Sequence, residues 1–253
     1  MSQAYGEAWY WDKRYAKESA AAAAATFDWY QKYESLAPLL HLYLPIPTTT
    51  TILVVGCGNS AFSEGMSKDG YTDIVNIDIS SVVIGEMQKK YSDSPRLKYI
   101  EMDVRDMKAF EAGSFNAVID KGTLDSLLCG HNSKPNAAKM LEEVERVLKK
   151  GGVYILITYG IPAYRLHLLR ESHSWSIKLH VIDKVHPGES SKAETWELTR
   201  PVPVNSDGSF READCLEKMD VHYIYICTKV RCYPLIHVTF SSFLFHAFME
   251  SYQ

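Results

Sequence analysis

The chain has 253 residues, 46% of them hydrophobic and 23% charged, with a formal net charge of -4 at pH 7. That length suits one α/β domain with additions, and the composition excludes the disordered and fibrous classes. The charge excludes a nucleic-acid binder that works through a broad basic surface, so no direct nucleic-acid contact is expected.

The five cysteines, Cys57, Cys129, Cys215, Cys227 and Cys232, form no CxxC pair. This predicts free thiols in a reducing compartment and no structural zinc. The chain does not open on a charged and then apolar leader, and its most apolar stretch, 233–248, is interrupted by His237 and His246 and is too short to span a bilayer. A cytoplasmic protein without membrane contact is expected.

In chain order, residues 1–45 carry the aromatics Trp9, Tyr10, Trp11, Tyr15, Phe27, Trp29, Tyr30 and Tyr33 around an alanine run at 20–25, and predict a helical cover. Residues 52–55 are a β-branched apolar run that stops at Gly56-Cys57-Gly58, as a buried parallel strand entering a turn does. Asn59 or Ser60 is placed to cap the next helix, and Gly70 to end it. Further strands are predicted at 74–78, 97–102, 115–120 and 153–158. Between them lie a helix capped by Ser80 or Ser81 and another over 137–148 that Gly151-Gly152 should end. Strands alternating with helices mean a parallel sheet. Beyond Thr158 the pattern turns irregular, then yields strands at 177–182 and 222–227 separated by a polar loop from Pro187 to Pro203, which suggests a terminal antiparallel hairpin. Residues 46–229 are taken as the main α/β domain and 230–253 as an atypical tail.

The Gly56-Cys57-Gly58 turn lies between a strand and a helix, where glycines let the backbone approach a nucleotide-like ligand; the alternative is a tight turn without a ligand. Asp78 ends the second strand, 20 residues after Gly58, where a carboxylate can accept hydrogen bonds from both hydroxyls of a ribose. Asp103 and Val104 follow the third strand on the adenine side of the same crevice, although capping and core packing explain them equally well. The glycines also satisfy the dinucleotide fingerprint, so by themselves they do not separate the two cofactor classes.

Asp120-Lys121-Gly122-Thr123-Leu124-Asp125-Ser126-Leu127-Leu128 follows the fourth strand. It resembles the (E/D)KGTLD(A/S)LL motif of the class I S-adenosylmethionine-dependent methyltransferases that include the elongation factor 1-alpha lysine methyltransferases. LVVGCGNSAFS from Leu53, SVVIGEM from Ser81, MDVRDM from Met102, the Tyr10–Tyr15 run YWDKRY and the Phe27–Tyr30 run FDWY are similar to segments of the same group. The resemblance covers roughly residues 5–160 in detail. It implies a Rossmann-like, doubly wound, seven-stranded α/β sheet of order 3-2-1-4-5-7-6, mostly parallel with a C-terminal antiparallel strand.

The resemblance further implies S-adenosyl-L-methionine as cofactor, contacted by Trp11, Tyr15, Trp29, Gly56, Gly58, Asp78, Ile79, Asp103, Val104 and Lys121. The segment from Asp120 to Asp125 is implied in activity. Asp120, at the strand end, and Asp125 are the candidate acceptor-orienting carboxylates. An ion pair between Lys121 and Asp125, one helical turn apart, is the plainer reading of that pair. Asp120 departs from the group's usual Glu, and the tail after Lys229 matches nothing in it. A protein lysine, foremost on elongation factor 1-alpha, is the expected acceptor; a small-molecule methyltransferase and a non-catalytic binding scaffold are the alternatives.

Overall fold

A computed structural model describes residues 4–20, 26–44, 50–171, 175–184, 197–203, 205, 209–210 and 220–230. The tail from 231, residues 21–25 of the alanine run, Cys215, Cys232 and most of the loop between Pro187 and Pro203 lie outside the described residues. A short turn at Ala4–Gly6 precedes helices α1 (Ala8–Ala20) and α2 (Tyr33–Tyr43). Then come β1 (Thr51–Val55), α3 (Phe62–Lys68), β2 (Asp73–Asp78), α4 (Ser81–Lys90) and β3 (Leu97–Glu101). β4 (Phe115–Lys121), α5 (Thr123–Cys129), α6 (Ser133–Val147), β5 (Leu148–Thr158), α7 (Pro162–Arg170), β6 (Trp175–Asp183) and β7 (Val221–Lys229) complete the order.

The seven strands form one sheet of order β3-β2-β1-β4-β5-β7-β6. The pairs from β3 to β5 are parallel, and β7 runs antiparallel to both of its neighbours. The order follows from the apolar strands, which are buried on both faces because helices cover each side. Leu53, Val55 and Val118 pack with Met140, Leu141 and Val144 of α6. Ile52, Val54 and Ile119 pack on the opposite face with Leu36 and Leu39 of α2, Met66 of α3 and Met87 of α4. Only part of the expected helical cover therefore reaches the crevice, since α2 is built into the core of one face. Ser80 caps α4 by accepting from Val83 N, and Ser60 Oγ accepts from Phe62 N at the start of α3.

Two expectations change. α6 ends at Val147, before Gly151-Gly152, because Leu148 is already extended and pairs with Phe115. The glycines sit inside β5, where the register shifts between Phe115 and Ala117, and Gly151 takes a φ of 78° that absorbs the extra residues. The segment after Thr158 is helical: Ile161 is extended and Pro162 occupies the first turn of α7, a position pre-organised for proline. Pattern reading missed α7 because one of its few buried side chains is Arg165, which breaks the apolar stripe.

Candidate active site

A cavity of about 260 Å³ opens at the carboxyl ends of β1, β2 and β4. β1 lies between β2 and β4, where the chain's crossovers diverge, which is where open α/β sheets bind ligands. Gly56 and Gly58 form its floor with φ of 57° and 52°. A Cβ on Gly56 would run into the Thr123 side chain, whose hydroxyl is donated to Val55 O at 2.9 Å. A Cβ on Gly58 would lie 2.7 Å from Tyr15 Oη. The glycines thus let α5 and α1 close on the loop.

Asp78 Oδ2 accepts from Gly58 N at 2.9 Å and Oδ1 from Ser80 N at 3.0 Å. Burial pushes its carboxyl up to about 6, against the pull of the Ser80, Gly58 and Ile79 amides. Ile79 and Val104 line the cavity beside it. Asp103 reaches the same wall, but its two oxygens are held by Arg105 through Nε and Nη2 at 2.7–3.0 Å, so its carboxylate is largely taken. Val104 is the apolar surface on that side.

The N-terminal residues form the remaining wall. Trp11 stacks on Tyr15 at 6.0 Å and 27°, and Arg14 lies over both Trp11 and Trp29, 5.6 and 5.1 Å from the ring centres. Trp29 is exposed and Tyr15 buried. Residues 26–31 cross the mouth as a strap. Lys121 Nζ donates to Asp28 Oδ1 at 3.1 Å and to Trp29 O at 3.0 Å, and Ser60 also donates to Asp28. The Lys121 and Asp28 side chains are 8% and 9% exposed, so this is a buried pair, and burial lowers the Lys121 pKa against Asp28. Gln31 anchors the far end by donating to Asp183 O at 2.8 Å.

The two carboxylates of the DKGTLD run do different things. Asp120 is fully buried beneath the cavity rather than in its lining. It accepts from Thr123 N (2.7 Å), Leu124 N (3.1 Å) and the Tyr154 hydroxyl (2.8 Å), capping α5. Burial pushes it up to about 7, against the Tyr154 hydrogen bond. Expected to border the transfer crevice, Asp120 lies under the cavity lining, where the start of α5 takes up its side chain and Gly122 with φ 97° turns the chain.

Asp125 lines the cavity and is 3% exposed. Oδ1 accepts from Thr158 Oγ1 (2.6 Å) and Arg165 Nη2 (2.5 Å), Oδ2 from Tyr30 Oη (2.8 Å) and Tyr159 N (3.4 Å). No Lys121–Asp125 pair exists; Lys121 is held by Asp28 and Asp125 by Arg165.

All ten proposed cofactor contacts line this one cavity. Sequence reading missed Tyr5, Phe62 and Thr123 as lining and Asp28 as the counter-ion of Lys121; it offered Arg165 as a basic residue of an acceptor rim over 159–176, without its pairing to Asp125. Asp28 was within reach as the acidic member of the FDWY run; the partner of Arg165 was not, because its segment has no periodicity to place it.

The methyltransferase domain family model matches residues 53–156. The human eEF1A lysine and N-terminal methyltransferase is 31% identical across 91% of this chain and 36% of its own length. Its bovine counterpart is 38% identical across 72% of this chain and 26% of its own length. The chain thus spans about a quarter to a third of these relatives. The bovine EEF1A lysine methyltransferase 4 is 36% identical over 184 residues, 69% of either chain. The chain belongs to this methyltransferase family. Its fold is also that of a solved SAM-dependent methyltransferase from Methanosarcina mazei, 17% identical, covering 81% of this chain and 99% of the other with a TM-score of 0.53.

The cofactor of the family is S-adenosylmethionine, and the lining fits it. Asp78 keeps acceptor capacity for a ligand hydroxyl after the Gly58, Ser80 and Ile79 amides have donated. The stacked Trp11 and Tyr15 give a cationic sulfonium an aromatic wall. The Gly56 and Gly58 backbone admits a close approach that any side chain would block.

Proposed function

We propose that this chain transfers a methyl group from S-adenosylmethionine to a lysine side chain of a cytosolic protein, with elongation factor 1-alpha as the acceptor. The observation that carries the reading is the mouth beside Asp125, where Tyr30 and the exposed Tyr159 flank a buried ion pair next to the cofactor cavity. It is supported by relatives named for lysine methylation of that factor. No helix among the described residues is long and apolar enough to cross a membrane.

In this reading Trp11, Tyr15, Trp29, Gly56, Gly58, Asp78, Ile79, Val104 and Lys121 hold the cofactor. Asp103 shapes its adenine side through Arg105, and Lys121 acts by holding the strap. Bound there, the cofactor supplies an electrophilic methyl group. What the protein contributes is orientation and exclusion of water, since direct methyl transfer asks for an aligned nucleophile and little covalent help. Asp125 fixes the groups that meet the acceptor, and Asp120 fixes α5 beneath them. Incubation with methyl-labelled cofactor and a cytosolic extract tests the reading: label should enter protein lysine. Label confined to small molecules would replace it with a metabolite methyltransferase.

A further inference from the structure

We propose that Tyr30 receives the acceptor nitrogen, and that its slot takes a neutral primary amine in preference to an ammonium ion. This rests on the lysine-directed reading and names the group that implements it.

A carboxylate offers about four acceptor positions. Those of Asp125 are filled by Thr158, Arg165, Tyr30 and the Tyr159 amide. Asp125 therefore has no position left for an arriving ammonium ion, and the Arg165 guanidinium beside it already balances its charge. The group with unused capacity is the Tyr30 hydroxyl. Its one proton is donated to Asp125 at 2.8 Å, which leaves the lone pairs of its oxygen to accept an N–H within the cavity it lines.

A neutral amine matches this oxygen, because it donates an N–H and keeps its nitrogen lone pair. An ammonium ion finds the Asp125 charge already balanced by Arg165 and loses its hydration on entry. The backbone builds the slot on purpose-shaped ground: the Tyr30 ring lies on Gly122, where a Cβ would sit 3.1 Å from its Cε2, and Tyr30 itself takes a positive φ of 63°. Side chains in that region are uncommon, and such conformations persist where the surroundings fix them.

The charged and titratable neighbours leave this assignment in place. Burial and Asp125 hold the Tyr30 phenol far above its ordinary range, so it remains a donor to Asp125. Tyr159, whose ring is 6.3 Å away and whose hydroxyl meets Cys129, is pushed up to about 12, by that contact first and by burial next. His222, 4.8 Å from the Tyr30 ring, is lowered by burial to about 4 and is neutral. Lys121 is tied to Asp28. Asp120, pushed up to about 7, titrates near neutrality, and the experiment must separate it from the amine.

The full chain, carbon-13 labelled at the tyrosine ring carbon that bears oxygen and saturated with S-adenosylhomocysteine, is titrated with n-butylamine at pH 7, 8 and 9. The Tyr30 resonance, assigned by its loss in Tyr30→Phe, is followed by NMR. The apparent affinity for total amine should rise about tenfold per pH unit throughout, as the neutral fraction of an amine with a pKa near that of lysine does. In ligand-observed spectra at pH 9, Tyr30→Phe should bind the amine about tenfold more weakly, with unchanged affinity for S-adenosylhomocysteine as proof of an intact site.

An affinity equal at pH 7 and 9, a rise that levels off above pH 8 as Asp120 titration would give, an unshifted Tyr30 resonance, or full binding by the variant would each overturn the proposal. Failure of the lysine reading would show separately, as label in a small molecule while the butylamine response persists.

Discussion

Asp78 combines two properties that make it a sensitive reporter of the site: it is buried with its carboxyl raised to about 6, and it still has capacity for a ligand hydroxyl. A ligand that donates to the ionised form lowers that pKa on binding, so affinity is full above about 6 and is lost as pH falls through 6. Calorimetry with S-adenosylhomocysteine should give a flat response from pH 7 to 8 and a decline below 6, and Asp78→Asn should flatten it. Asp78→Ala should weaken binding by ~1.5–3 kcal/mol, the loss typical of hydrogen bonds to a charged group, in a chain that still folds. Unchanged affinity would remove Asp78 from the site. Asp120→Asn belongs to another class: one donor among Thr123 N, Leu124 N and Tyr154 loses its acceptor in a fully buried place, so thermal unfolding should show a loss of ~1–3 kcal/mol. At this scale the sequence was legible where a residue's role is local. Gly56, Gly58 and Asp78 sit at the ends of strands whose apolar runs are unmistakable. Asp120 and Asp125 were not told apart, because their difference lies in partners 34 and 40 residues away, Tyr154 and Arg165.

The strap of residues 26–31 is held at the cavity by a buried pair, Lys121 with Asp28. Removing one partner of such a pair strands the other charge and typically costs 3–5 kcal/mol, whereas removing both costs less. Lys121→Met and Asp28→Ala should therefore each weaken S-adenosylhomocysteine binding more than the double variant does, read as a double-mutant cycle. Strict additivity would show that the pair does not hold the strap. Elements with a strong period, such as β1, β4 and α6, were readable from apolar spacing alone. α7 was not, since its inward face carries Arg165 in place of an apolar side chain, and the Ile161-Pro162 step was its one local signal. The end of α6 was misread for a related reason: glycines that commonly stop helices serve here as a bulge in β5.

Across the whole molecule, the last strand among the described residues ends at Lys229, whose ammonium donates to Glu145 O and Leu148 O and so ties the end of β7 to α6 and β5. All described residues lining the cofactor cavity precede residue 160. A chain ending at Val230 should therefore unfold at a similar temperature to the full chain and bind S-adenosylhomocysteine with the same affinity; loss of binding in a folded truncation would make the tail part of the pocket. The strand order was legible because alternating strands and helices admit few topologies and the DKGTLD run points to one of them. The acceptor was less so, because in the proposed reading the rim that meets it is assembled from several segments rather than from one. The measurement that bears most directly on the central claim is peptide mass spectrometry of purified elongation factor 1-alpha, unmethylated at the outset, after incubation with this chain and S-adenosylmethionine. The account predicts a methyl mass increment on a lysine, absent when Asp78→Ala replaces the wild-type chain. A factor unchanged after prolonged incubation, with the cofactor bound yet its methyl group passed to a small molecule, would contradict it.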